Sequence, residues 1–317
     1  MRFVKRTIFV LIALGTAVLL LLAGLLRNPM WAISSGAGAG VGLFILAVSL
    51  LWRSMEGGPD AKEIHKRINQ GQLDRIRELI QKKARLLSAA DDHGGTPLHR
   101  AALEGQVEIC RFLIEKKADV SARESLFGFT PLHMAACRGH TPTVAAMHPE
   151  MTRCHWESGA AGSENAEVAE ILLQAGADPN VRAGFRRTAL HLAALSGDSE
   201  TVMSLLKRGV KVQPTDGLDF TPLHYAAYGN HGEAAQLILE AGADPNTRAD
   251  CGFAPLHTAA ERNSTEVARM LLEQGASVNL LTDHSCTPVT LAARRGHEEL
   301  VELLRKYGGK AKIAGET

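Results

Sequence analysis

Histidine is the residue type whose chemistry this sequence invites first: thirteen imidazoles, each able to bind a metal, shuttle a proton or bridge two backbones. Eight of them fall in recurring slots. His99, His133, His191, His224 and His257 each end a quartet of the form Thr-Pro-Leu-His, with Ala189 and Ala254 as the departures, and His140, His231 and His297 each follow a Gly or Asn. Such regular placement implies scaffolding, with the rings hydrogen-bonding adjacent turns together. The other five are His65, His93, His148, His155 and His284. Of these, His148 and His155 sit near Cys154 and Glu157, all potential zinc ligands, but the spacing lacks the C-x-x-C or H-x-x-x-H reach of a structural zinc site. No metal is expected.

Other reactive constellations are also missing. The sequence has no G-x-S-x-G, no P-loop and no G-x-G-x-x-G after a strand pattern. The glycines of Gly36–Gly42 lie in an apolar run, where they have no phosphate to cradle. No pair of carboxylates is set apart by burial. The reading is a protein that is not an enzyme and needs no cofactor. Cys110, Cys137, Cys154, Cys251 and Cys286 are odd in number and irregular in spacing, which suits a reducing compartment better than a disulfide framework.

The elements that carry these residues repeat. Thr96-Pro97-Leu98-His99 recurs at 130–133, 188–191, 221–224, 254–257 and, as Thr287-Pro288-Val289-Thr290, at 287–290; the steps are 34, 58, 33, 33 and 33 residues. Each quartet leads to an Ala-Ala pair and then to Gly105, Gly139, Gly197, Asn230, Asn263 or Gly296. Thr is a good N-cap, and Pro at the first helical position gives up no hydrogen bond. Leu faces a core, the small Ala pair lets the short helix lie close to its neighbours, and Gly or Asn takes the left-handed turn into a second helix. Second helices show apolar residues at helical spacing, as in Val202, Leu205, Leu206 and Val267, Met270, Leu271, Leu272. Gly-Ala-Asp-Pro-Asn at 176–180 and 242–246, and Gly-Ala-Ser-Val-Asn at 275–279, then open a finger-like loop.

These landmarks resemble the ankyrin repeat over about residues 61–310. The expected fold is therefore an all-α ankyrin-repeat solenoid of helix-turn-helix units with finger loops. Residues 61–95 form a degenerate N-terminal capping repeat without the quartet, and residues 96–310 form six repeats, followed by a tail over 311–317. Glu298, Glu299, Glu302, Arg305 and Lys306 make the last unit polar on its outer side, as a terminal repeat requires. The long step places an insert at about residues 141–165, at the turn between two helices. Asp283-His284-Ser285-Cys286 is superficially similar to the DHHC signature of palmitoyltransferases, but the second His and the surrounding Cys/His framework are missing, so it reads as a finger loop.

The resemblance implies a concave face, built by fingers and first helices, on which an unidentified protein partner binds. Carried onto this chain, its variable positions are Phe127, Phe129, Arg138, Phe185, Arg187, Leu195, Phe220, Tyr228, Phe253, Glu261, Arg262, Arg294 and Arg295. Aromatic and Arg side chains are the usual binding anchors, although a Phe just before Thr-Pro also suits packing a finger onto its own unit.

Ahead of the repeats the composition changes. Ile8–Leu26 and Met30–Trp52 are uncharged runs of 19 and 23 residues, joined by Arg27-Asn28-Pro29, and no acidic residue precedes Glu56. Each run is long enough to span a bilayer, so residues 1–55 are expected to form a two-helix transmembrane hairpin (8–26 and 30–52), with a linker at 56–60. The glycines and serine of the second run suit close helix packing in lipid. Arg2, Lys5 and Arg6 before the first span and Arg53 after the second favour a cytoplasmic position for both termini. A cleaved signal peptide fits less well, because the first run is long and no A-x-A site follows. From Arg53 onward 31 basic residues face 34 acidic ones, a net charge near −3 that gives no footprint for nucleic acid. The function expected is a membrane-anchored interaction scaffold, touching lipid through residues 8–52. An exported ankyrin domain that protects a partner enzyme is the alternative.

Overall fold

A computed structural model of the chain describes residues 59–137 and 164–311. The expected hairpin at 8–26 and 30–52, Arg138 and the insert cluster His148, Cys154, His155 and Glu157 all lie outside the described residues. Among the described residues no helix is long and apolar enough to cross a membrane.

The repeat unit is a stack of helix pairs. First helices are α1 (Pro59–Asn69), α3 (Pro97–Leu103), α5 (Pro131–Ala136), α7 (Ala189–Ser196), α9 (Pro222–Gly229), α11 (Pro255–Arg262) and α13 (Pro288–Arg295). Their partners are α2 (Leu73–Lys82), α4 (Val107–Glu115), α6 (Glu164–Gln174), α8 (Ser199–Lys207), α10 (Gly232–Glu240), α12 (Thr265–Glu273) and α14 (Glu298–Lys306). Each first helix packs on the next first helix from α1 to α13, and each second helix on the next from α4 to α14, giving two parallel layers. Two boundaries differ from the sequence reading. Pro59 and Asp60 belong to α1 and not to a linker, with Asp60 bonded to Lys83 at 2.6 Å. Glu164 and Asn165 belong to α6 and not to the insert, since Asn165 is buried and donates to the Ala135 carbonyl at 3.2 Å.

The sequence pattern explains both layers. Leu98, Leu132, Leu190, Leu223, Leu256 and Val289 form one fully buried ladder down the first helices, each position worth about 2 kcal/mol of apolar burial. The paired alanines beside them are buried as well, except Ala293 on the outer side of the last unit, and their small size sets how closely successive first helices approach. Asn230 and Asn263 turn the chain at φ +56° and +58°, the left-handed region that Asn tolerates better than other side chains.

Polar side chains lock the register between units. Asn180, Asn246 and Asn279, at the ends of their loops, accept from the backbone N–H groups of Lys211, Ser277 and Lys310 at 3.0, 2.7 and 2.8 Å. The quartet histidines do the same from the first helices. The backbone N–H of Thr221 donates to His224 Nδ1 at 3.1 Å, and because a backbone N–H only donates, the proton of this neutral ring sits on Nε2. Nε2 then donates to the Phe253 carbonyl of the next unit at 3.1 Å. His99, His133, His191 and His257 repeat the arrangement, reaching the carbonyls of Phe129, Arg187, Phe220 and Cys286. Burial pushes the pKa of His133, His191 and His224 down to about 4.

Candidate interaction face

Six short fingers precede the quartets, and each is closed by its own backbone. Examples are Ala183 N–H to Arg187 O at 2.8 Å, Asp216 N–H to Phe220 O at 3.0 Å and Ala249 N–H to Phe253 O at 2.7 Å. Neighbouring fingers are tied in turn: Gly184 donates to Phe127 O, Gly217 to Phe185 O, Asp250 to Leu218 O and Asp283 to Cys251 O, at 2.7 to 3.0 Å. The segment Asp283–Cys286 is one of these fingers, closed by the Thr282 N–H to Cys286 O bond at 3.0 Å.

Carboxylates shape several fingers from within. Asp216 Oδ1 accepts from the backbone N–H groups of Leu218 and Phe220 at 2.8 and 3.0 Å. Its other oxygen, Oδ2, accepts from the Tyr225 hydroxyl at 2.6 Å, and Arg187 Nε donates to the same hydroxyl at 2.7 Å. All three side chains are buried, Arg187 to 0% exposure. A guanidinium and a carboxylate are thus joined through a phenol between two units, with the Arg187 guanidinium also over the Tyr225 ring at 5.6 Å. Burial raises the Tyr225 pKa, so the phenol stays protonated and bridges as donor and acceptor.

Beyond that finger lies a groove of about 620 Å³ between the fingers and first helices of the last three units. It is lined by Asp216, Leu218, Phe220, Tyr228, Asp250, Cys251, Phe253, Thr258, Glu261, Arg262, Arg295 and His297. Phe220 and Phe253 pack edge-on or tilted against their own histidines, with ring centroids 5.1 Å from His224 and 5.7 Å from His257, and the half-buried remainder of each ring faces the groove. Leu218 is 43% exposed at the finger tip. Arg262 lies over the Tyr228 ring, its guanidinium carbon 4.2 Å from the centroid, and Arg295 pairs with Glu261.

The structure sorts the residues expected on the binding face. It brings Phe220, Tyr228, Phe253, Glu261, Arg262 and Arg295 together around the groove. Phe185 is exposed beside Arg187 on an earlier finger, and Phe127 is half-buried, 5.8 Å from the Phe129 ring. Arg294 is exposed, donates to the Cys286 sulfur at 3.3 Å and is not among the residues that line the groove. Three expectations are corrected. Phe129 is buried against His133 at 5.6 Å, Leu195 is fully buried at the end of α7, and Arg187 is fully buried under Tyr225, so none of them offers a surface. Six lining residues were not expected on the face: Asp216, Leu218, Asp250, Cys251, Thr258 and His297, of which the first four sit in the fingers of the expected Phe positions and His297 was expected only as scaffolding.

Among the described residues no group of three or more His, Cys, Asp or Glu side chains could hold a metal ion. Among the described residues Cys110, Cys137, Cys251 and Cys286 form no disulfide with one another, and burial pushes Cys110 up to about 12. The paired-helix stack, the bridging histidines and the interlocked fingers define a repeat protein. The family description "Ankyrin repeats (3 copies)" matches residues 58–124, 158–249 and 245–314, and "Ankyrin repeats (many copies)" matches 101–148. The chain belongs to the ankyrin repeat family. A comparison with curated proteins finds no match.

Proposed function

We propose that this chain is an interaction scaffold that holds a protein partner on the face made by its fingers and first helices, centred on the groove of the last three units. Ankyrin repeats serve generally in protein–protein interaction, which supports the class of function. The observation that carries the choice of face is the groove itself: exposed Leu218, two aromatic rings and a guanidinium over Tyr228 converge there. Apolar floors rimmed by Arg and Tyr are where binding energy concentrates at protein interfaces. The second-helix layer offers mainly charged residues such as Glu233 and Arg269 to solvent.

The same reading includes a membrane anchor through residues 8–52, with both termini in the cytoplasm. Its support is in the sequence alone: two uncharged runs of spanning length with basic residues on their outer flanks. A reporter fused at Thr317 that is active only outside the cytoplasm would overturn this orientation.

Photo-crosslinkers placed singly at Leu218, Arg262, Glu233 and Arg269 of the full chain test the face. The proposal expects one partner band from Leu218 and Arg262 and none from Glu233 and Arg269. The reverse pattern refutes it.

A further inference from the structure

Charge in the groove is unevenly satisfied, and this says what a partner must carry. Asp216 is answered by the buried Tyr225 and Arg187, and Glu261 is answered by Arg295. Two exposed charges of the lining make no ion pair among the described residues: Arg262 on a first helix and Asp250 on the neighbouring finger. Arg262 is also held in place. Its guanidinium carbon lies 4.2 Å from the centre of the Tyr228 ring, and its N–H groups meet no protein acceptor among the described residues. A planar fork held over a ring is suited to receive a carboxylate through two parallel hydrogen bonds. The apolar surface of Leu218, Phe220 and Phe253 lines the same groove.

We propose that this groove takes an extended segment of a partner protein in which an apolar side chain is flanked by an acidic residue, read by Arg262, and a basic residue, read by Asp250. The inference rests on the proposed interaction face and adds its specificity. A carboxylate fits better than a phosphate group, because Asp250 and Glu261 in the same lining oppose a second negative charge. Arg262 and Asp250 choose the partner and its register, while the apolar contact supplies most of the affinity.

The test pans a display library of random twelve-residue peptides on the full chain and measures the best binder by fluorescence polarisation. Enriched peptides are expected to share an apolar residue between an acidic and a basic one. Arg262→Gln is expected to weaken the best peptide at least about tenfold, and Arg262→Lys to recover only part, since Lys keeps the charge but not the fork. Changing the peptide's acid to its amide is expected to cost about as much on the native protein and nothing further on Arg262→Gln. Failure to enrich any such peptide overturns the proposal. So does binding indifferent to both Arg262→Gln and Asp250→Asn; if that binding is still abolished by Leu218→Ser, the face stands and only its specificity falls, whereas indifference to Leu218→Ser as well removes the face too. Tighter binding of a phosphoserine version, lost in Arg262→Gln, also overturns it and makes the groove a phosphopeptide site.

Discussion

The Nε2 of His224 lies 3.1 Å from the carbonyl oxygen of Phe253, a residue 29 positions along the chain and one unit further in the stack. One imidazole therefore caps its own helix and fastens the next finger, and the aromatic ring it fastens is part of the groove floor. The same bond recurs at four other units, so the scaffold and the face it presents share their hydrogen bonds.

That sharing makes stability depend on pH. His133, His191 and His224 titrate near 4 in the folded chain because burial disfavours the imidazolium, against 6.5 when exposed; around His224, the attraction of Asp216 only partly offsets this. Below pH 6.5 the unfolded chain takes up protons that the folded chain refuses. The histidine contribution is thus intact above pH 6.5 and is lost progressively as pH falls toward 4. Each ring contributes at most about 1.4 kcal/mol per pH unit, so the three together approach about 4 kcal/mol per unit in that window. Urea midpoints measured from pH 7.5 to 5 are expected to be flat at first and then to fall steeply below about 6.5. A flat profile down to pH 5 would contradict neutral bridging histidines.

Arg187→Met removes the positive member of a buried bridge and leaves the Tyr225 hydroxyl and Asp216 to compensate alone. It is expected to destabilise the repeat domain by about 3–5 kcal/mol in chemical denaturation. Tyr225→Phe is expected to cost less in the Arg187→Met background than in the native chain, because the phenol has already lost a partner. Strict additivity would mean that the three side chains do not act as one network.

Ala260 sits fully buried between successive first helices. Ala260→Leu adds three carbons where α9, α11 and α13 are already packed, and is expected to lower stability by about 2–3 kcal/mol or more through displaced helices. A thermal midpoint unchanged from the native chain would show that the alanine pairs do not set the helix spacing.

Asn230 holds φ at +56°. Asn230→Ala is expected to cost about 1 kcal/mol, while Asn230→Gly is expected to be neutral within about 0.5 kcal/mol, since only the alanine side chain resists the left-handed turn. Equal losses from both would place the role of Asn230 in its amide and not in its backbone.

What could be read from the sequence was what local chemistry determines. The Thr-Pro-Leu-His quartets, the alanine pairs and the turn Asn residues each serve a helix terminus or a close approach within a few positions of themselves, so their spacing alone revealed the units. The groove residues Phe220 and Phe253 were legible for the same reason, as the positions just before a cap. Arg187 was not. It occupies the equivalent position, but its burial depends on Tyr225, 38 residues away, and on Asp216, which answers its charge through that phenol. Leu195 was misplaced because a residue near the end of a first helix is exposed or covered according to the neighbouring units, which no periodicity within its own unit reports. Asp250 was missed although it shares a finger with Phe253, because nothing in its spacing separates a groove carboxylate from a loop one, and His297 was read as scaffolding alone because its slot after Gly296 recurs in other units.

The account turns on which face of the stack meets a partner, and amide hydrogen exchange of the full chain, alone and saturated with the partner captured by crosslinking, measures that directly. Slowed exchange is expected in the fingers at 216–220 and 250–253 and in α9 and α11, with α8, α10 and α12 unchanged. Slowing confined to α8, α10 and α12, with those fingers exchanging as before, would contradict it.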